Sequence, residues 1–226
     1  MLFRSTDTSN HVIRKVDHAT GFITTVAGTG TTVRVTRALL TSGTVTFPTG
    51  THLEINGATF TADGPTTLAP GVGLTMNCVS IVSGCGTLAG SGAVTIESTP
   101  TTPTNVTIHG GALSGTGVLT LTQDTNTTIA LTAGFAVDKP VTNAGTWTQT
   151  SDTTLYPGCL TNGGSQCKGA ELRQSFTNSG SIVFPDDTGY IDRTVTGAIT
   201  NTGLITKTGT STGGRSEEHT SELQSH

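Results

Sequence analysis

Val141-Thr142-Asn143-Ala144-Gly145-Thr146-Trp147 is one of five copies of a signature that recurs down this chain of 226 residues. It reads apolar, any, Gly or Asn, any, Gly, any, apolar. Leu88 to Val94 and Leu113 to Leu119 carry a Gly-x-Gly form, through Gly90 and Gly92 and through Gly115 and Gly117. Phe176 to Ile182 and Ile199 to Ile205 repeat the Asn-x-Gly form, through Asn178 and Gly180 and through Asn201 and Gly203. Val141, Asn143, Gly145 and Trp147 share one parity and fall on one side of an extended chain; Thr142, Ala144, Thr146 and Thr148 fall on the other. Such alternation predicts half-buried strands. The Asn-x-Gly inside it predicts a bend, since Gly and Asn reach positive φ most cheaply.

Self-similarity at 20 to 50 residues marks a solenoid. The second glycines fall at 92, 117, 145, 180 and 203, in steps of 25, 28, 35 and 23. A weaker copy around Gly43 lies 49 residues before Gly92, about two steps. Steps near 25 suit one coil of a parallel β-helix, with short strands and tight corners. Stacked coils place like over like, so Asn143, Asn178 and Asn201 are expected to form a hydrogen-bonded ladder. Outward threonines are expected to stack in the same way. The long step from 145 to 180 holds Cys159 and Cys167 and predicts a loop thrown out of one coil. About six to eight coils fit the length, and an open last coil after Gly203 would leave unpaired backbone groups.

Composition limits the function. Threonine and glycine supply over a third of the residues, and between Arg37 and Lys139 there is no lysine or arginine. Nucleic-acid binding needs clustered cations and is excluded on that ground. The alternating Thr, Val and Ile favour folded β-structure over disorder. No apolar run approaches the roughly 18 residues of a membrane-spanning helix.

Residues 86 to 214 resemble the Thr/Gly-rich repeat regions of large secreted or surface-displayed bacterial proteins, adhesin-like regions that form β-helices. The stretches Leu113 to Leu121, Val141 to Trp147 and Ile199 to Gly209 carry the likeness. It implies a fold and leaves adhesion, display and spacing equally open. Asn10 to Asp17 followed by His18 to Gly30 resembles part of an NHL repeat, with two strands meeting at Ala19-Thr20-Gly21. A single blade cannot close a propeller, so this is expected to be a remnant hairpin. The segments Met1 to Ser5 and Arg215 to His226 resemble translated sequencing adapter and are left out of the fold. Without them, the loss of two arginines and three glutamates leaves 9 basic and 12 acidic residues, too weak a balance to name a partner.

Four cysteines lie in two local pairs, Cys78 with Cys85 and Cys159 with Cys167. Neither spacing suits a structural zinc site, and an even count in close pairs fits two disulfides in an oxidising compartment. Asp186, Asp187 and Asp192 form the densest polar cluster of the repeat region. Paired carboxylates can serve glycoside hydrolysis, and β-helical polygalacturonases carry such a pair followed by Gly-His-Gly. Here the comparable histidine, His109, precedes the aspartates, and a solvated loop is the expected reading. No Gly-Gly-x-Gly-x-Asp repeat for calcium occurs. Gly84 to Gly90 looks like a phosphate loop but lacks the lysine and the following helix. The triplets at Asn105 and Asn126 match a glycosylation acceptor and carry no weight in so threonine-rich a chain. Trp147 is expected in the core.

The expectation is therefore an all-β chain: adapter-like residues 1–5, a propeller-blade hairpin over 6–32, a parallel β-helix (β-solenoid) over 33–214, and an adapter-like tail over 215–226. Its expected role is a structural or adhesive segment of a bacterial secreted or cell-surface protein, without catalysis, cofactor or metal. Surface glycans or other cell-surface proteins are the expected partners. The competing expectation is a carbohydrate-active β-helix enzyme using Asp186, Asp187 and Asp192.

Overall fold

The computed structural model describes residues 3–7, 12–16, 23–27, 32–80, 84–131, 134–149, 170–185 and 198–207. No helix occurs among them. Phe3–Asp7, Val12–Val16 and Ile23–Ala27 form a three-stranded antiparallel sheet, in that order. The antiparallel pairing of the second and third strands matches the expected hairpin, whose turn at 19–21 lies outside the described residues. The first strand takes Phe3, Arg4 and Ser5 into the same sheet as residues of the 6–32 segment.

From residue 32 the chain winds as a β-solenoid with three faces. Each coil lays one short strand on each face, and each strand pairs in parallel with its equivalents in the coils before and after. The first coil is Thr32–Val35, Leu39–Thr41 and Val45–Phe47; the second is His52–Asn56, Thr59–Ala62 and Thr66–Leu68. Four more complete coils run over 73–96, 105–121, 126–143 and 146–178. A seventh keeps Ser181–Phe184 on the first face and Ile199–Asn201 on the third, and Leu204–Lys207 begins an eighth. The expected architecture and coil number hold.

Period-2 alternation drives the winding, because one parity must leave water on every face. On the first face Leu53, Leu74, Val106, Trp147 and Ile182 point inward and are buried. On the third, Val94, Leu119, Val141 and Phe176 stack in one inward rank. Burying each such side chain contributes about 1.5–3 kcal/mol. Trp147 packs edge-on against Phe176 with ring centroids 5.2 Å apart, so its inward parity is confirmed.

The register corrects one reading. The five signature copies do not sit at one corner. In the Gly-x-Gly copies, Leu88 and Leu113 lie on the second face and Val94 and Leu119 on the third. In the Asn-x-Gly copies, Val141, Phe176 and Ile199 lie on the third face and Trp147, Ile182 and Ile205 on the first. The steps of 25, 35 and 23 are whole coils. The step of 28 from Gly117 to Gly145 is one coil plus a change of corner.

A second correction concerns how the corners bend. Asn143, Asn178, Asn201 and their partner glycines have no positive φ; Gly90 and Gly115 do, at 114° and 103°. Gly180 is glycine for a different reason: a Cβ there would run into the carbonyl of Gly145 in the coil before. Close approach, and not a left-handed backbone, selects that residue.

Cys78 and Cys85 are joined by a disulfide across a small antiparallel spur, where Gly73–Ser80 pairs back with Gly84–Cys85. The spur leaves the coil between the first and second faces. Residues 150–169, which hold Cys159 and Cys167, fall in sequence between Thr146–Gln149 on the first face and Ala170–Leu172 on the second. Those two cysteines lie outside the described residues.

Candidate functional site

The most ordered polar feature is the inward rank that ends the third face. Phe47, Leu68, Ile96 and Leu121 occupy it in the first four coils, and Asn143, Asn178 and Asn201 in the next three. Asn143 Nδ2 donates to Asn178 Oδ1 at 2.7 Å, and Asn178 Nδ2 donates to Asn201 Oδ1 at 2.6 Å. Each amide also donates to the carbonyl two residues on: Gly145, Gly180 and Gly203, at 3.2, 3.2 and 3.0 Å. The expected ladder therefore exists. Its upper end is incomplete, because Asn143 Oδ1 is buried beneath Leu121 and has no donor.

The repeat glycines build two columns beside it. Gly43, Gly64, Gly92 and Gly117 stack between the second and third faces; Gly145, Gly180 and Gly203 stack between the third and first. In each, the hypothetical Cβ meets the backbone of the coil before. Gly90 and Gly115 form a parallel pair, since a Cβ on Gly115 would strike the Gly90 carbonyl.

Lys139 is the residue that sequence reasoning missed. It lies two residues before Val141, which pairs with Leu119, so it takes the place of the next glycine after Gly117. It is fully buried, and its Nζ donates to the Gly90 carbonyl at 2.7 Å, reaching past the intervening coil. Burial pushes its pKa below 10.5, opposed by the charge of Asp63. The only sequence signal was a lone lysine, the first cation after Arg37, set in a Gly-rich rank.

The outer surface is ordered as well. Thr46, Thr67, Thr95, Thr120, Thr142, Thr177 and Thr200 form one unbroken outward rank on the third face, each paired with the next. Adjacent hydroxyls then repeat at the strand spacing of about 4.8 Å. On the first face Thr75, Thr107, Thr128 and Thr148 align likewise, above an Arg34–Glu54–Asn77 cluster held at 2.7 and 3.1 Å. His52 sits against Thr75 at 3.0 Å.

An excursion over Ser98 to Thr104 walls two grooves at the corner between the third and first faces. One is lined by His52, Thr75, Pro103, Asn105 and Thr107, the other by Pro100, Asp124, Asn126, Thr146 and Ser181. Thr104 pins the excursion by donating to the Glu97 carbonyl at 2.6 Å and accepting from Gly71 N–H at 2.9 Å. The grooves offer amides, hydroxyls, one imidazole and the Asp124 carboxylate.

Among the described residues no group of three His, Cys, Asp or Glu side chains could hold a metal ion, and no helix is long and apolar enough to cross a membrane. Asp186, Asp187 and Asp192 lie outside the described residues, so the carboxylate site is not drawn. His109 is placed at a strand end, its Nδ1 3.0 Å from the Ala130 carbonyl. Comparison with protein-family models, with curated proteins and with solved structures finds no match to this chain.

Proposed function

We propose that this chain is a structural or adhesive repeat segment of a bacterial secreted or cell-surface protein, working through its surfaces and not through catalysis. The observation that carries the reading is the unbroken threonine rank on the third face. A long, regular, weakly charged row of hydroxyls presents repeated equivalent contacts, which suits a repeating polyhydroxyl partner such as a surface glycan. The Cys78–Cys85 disulfide supports an oxidising, extracellular setting. Residues 6–32 fit the remnant of an NHL-type blade, supported by the antiparallel pairing of Val12–Val16 with Ile23–Ala27.

The test is retention of the whole chain on immobilised bacterial surface polysaccharides, beside a variant with Thr95, Thr120 and Thr142 each changed to Val. Valine keeps the branched shape and removes only the hydroxyl, so loss of retention with an unchanged circular dichroism spectrum supports adhesion. Retention by neither, with a chain that resists proteolysis, supports a spacer. Release of reducing sugar from the same polysaccharides, abolished by Asp186→Asn, overturns the non-catalytic reading.

A further inference from the structure

One tight turn recurs at the corner between the third and first faces, and one copy of it breaks the pattern. Thr51 N–H bonds Pro48 O, Val72 N–H bonds Ala69 O and Thr125 N–H bonds Thr122 O, at 3.1, 3.0 and 3.2 Å. The third residue of each turn has a left-handed backbone: Gly50 at φ 83°, Gly71 at 80° and Asp124 at 67°. Glycine takes that conformation freely, whereas a residue with a Cβ is strained in it. Asp124 is the one described non-glycine residue with a positive φ. Aspartate can offset such strain by bonding its own backbone, but among the described residues no hydrogen bond or ion pair engages this carboxylate. The turn itself gives no reason for a carboxylate where the equivalent coils use glycine, and an outlier of that kind points to use of the side chain.

Asp124 lines the groove walled by Pro100 and Pro103. The excursion holds its turn from behind: Ser98 Oγ donates to the Asp124 carbonyl at 2.8 Å, and Ser98 N–H donates to Thr122 Oγ1 at 2.9 Å. Both bonds fix the turn and leave the carboxylate open. Along the groove Asn126, Thr146 and Ser181 pair in order, one per coil, and Asn105 continues the rank into the second groove. These polar side chains therefore recur at about 4.8 Å along the solenoid axis. Among the described residues no cation and no second carboxylate lines the Asp124 groove.

We propose that this groove binds a neutral linear glycan lying along the solenoid axis, with Asp124 accepting two hydroxyls of one sugar ring. The proposal rests on the reading of the chain as an adhesive segment, and adds to the threonine rank a site of defined chemistry. An ionised carboxylate only accepts hydrogen bonds, through two oxygens, and its charge makes them strong. Adjacent hydroxyls of a sugar supply the two donors. The amides of Gln123 and Asn126 on the same groove can donate to sugar oxygens, and Pro100 and Pro103 offer apolar walls to the ring C–H groups. A calcium ion needs six to eight oxygen ligands, and among the described residues no acidic group of three forms a metal site. An anionic glycan would meet the Asp124 charge and be repelled.

The experiment sets the whole labelled chain against an array of neutral gluco-, galacto- and manno-oligosaccharides of increasing length, with polyuronates as anionic counterparts. The native chain is expected to bind at least one neutral series, more tightly as length grows, and no polyuronate. Asp124→Asn keeps a residue tolerant of the left-handed turn and removes only the charge, so it should bind roughly tenfold more weakly. Asp124→Gly restores the residue of the equivalent turns and should lose saturable binding while keeping the native circular dichroism spectrum. If that variant fails to fold, Asp124→Asn decides alone. Neutral-glycan binding untouched by the Asp124 changes overturns this site and leaves adhesion through the threonine rank standing. No binding of the native chain to any glycan overturns the site and the glycan-binding reading together. Competition by free lysine and not by free sugar would make the groove a cation site and overturn the proposal.

Discussion

Replacing Asn178 by leucine and replacing all three ladder asparagines by leucine should have effects that do not add, and the triple variant should be the more stable of the two. Asn178 is fully buried between Asn143 and Asn201. Asn178→Leu takes the axial acceptor from Asn143 Nδ2 and leaves that N–H only Ser181 O at a long 3.4 Å, on a side chain whose oxygen is already without a donor. Each such buried orphan costs about 1–3 kcal/mol. Changing Asn143 as well removes both orphans at once. The glycine carbonyls lose little, because Gly145 O and Gly180 O each keep a backbone donor, Ser181 N–H and Leu204 N–H, at 2.8 Å. Leucine fits the rank, since Leu68 and Leu121 occupy it in earlier coils. The triple variant should therefore exceed Asn178→Leu by at least about 2 kcal/mol, two orphans at the low end of that range. Urea unfolding followed by fluorescence of Trp147, the single tryptophan and a neighbour of the ladder, measures the gap. A triple variant less stable than Asn178→Leu would refute the reasoning, for it would mean each rung stabilises independently.

Other perturbations test the remaining contacts. Gly180→Ala drives a Cβ into the Gly145 carbonyl and should destabilise by about 2–3 kcal/mol, while Gly84→Ala, with nothing within 4 Å but a φ of 98°, should cost about 1 kcal/mol; thermal unfolding separates the two. Changing Cys78 and Cys85 to serine should cost up to about 2–3 kcal/mol on loop-closure grounds, and amide exchange should place the loss in the spur and its neighbouring strands. Burial holds the folded pKa of Lys139 below its unfolded value of 10.5, so the folded state disfavours the charged form. The penalty is complete below the folded pKa and disappears as pH rises to 10.5. Urea midpoints should then rise with pH across that window more steeply in the native chain than in Lys139→Met, and equal slopes would contradict it.

Much of the architecture was legible because parallel stacking repeats a local rule. Parity alone put Trp147 inside and Thr142 outside, and the ladder followed from equal register of three Asn-x-Gly segments. What parity could not show is which corner a glycine occupies. Gly92 and Gly145 carry the same local signature, yet one bends between the second and third faces and the other between the third and first. The missing link was Gly64, the member of the first column between Gly43 and Gly92, whose Asp63-Gly64-Pro65 setting hides the repeat. Lys139 was illegible for a related reason. A lysine reads as surface unless one sees that its stem runs buried to a backbone carbonyl two coils back, the Gly90 oxygen.

The change of corner has a physical logic. At every turn from the third face to the first, carbonyl groups of the preceding strand need donors. In the third and fourth coils hydroxyls add to the backbone donor: Ile96 O takes Thr122 N–H at 3.1 Å and the hydroxyls of Thr122 and Thr125 at 3.1 and 3.4 Å, and Thr104 reaches Glu97 O. Thr104 and Thr125 are fully buried there and fill the corner with their methyl groups. From Asn143 onward the counterpart carbonyls take backbone donors, Ser179 and Gly180 N–H on Asn143 O at 2.9 and 3.2 Å, while the ladder amide bonds the carbonyl two residues on within its own coil. The corner backbone there lies close against the coil before, so a threonine no longer fits and Gly145, Gly180 and Gly203 replace it. Asn at the strand end and Gly at the corner are thus one device, and neither should be replaceable singly. Restoring a hydroxyl corner in the sixth coil would need Asn178→Leu and Gly180→Thr together. The paired variant should be more stable than Gly180→Thr alone, and the reverse order in urea unfolding would show that the two positions act separately.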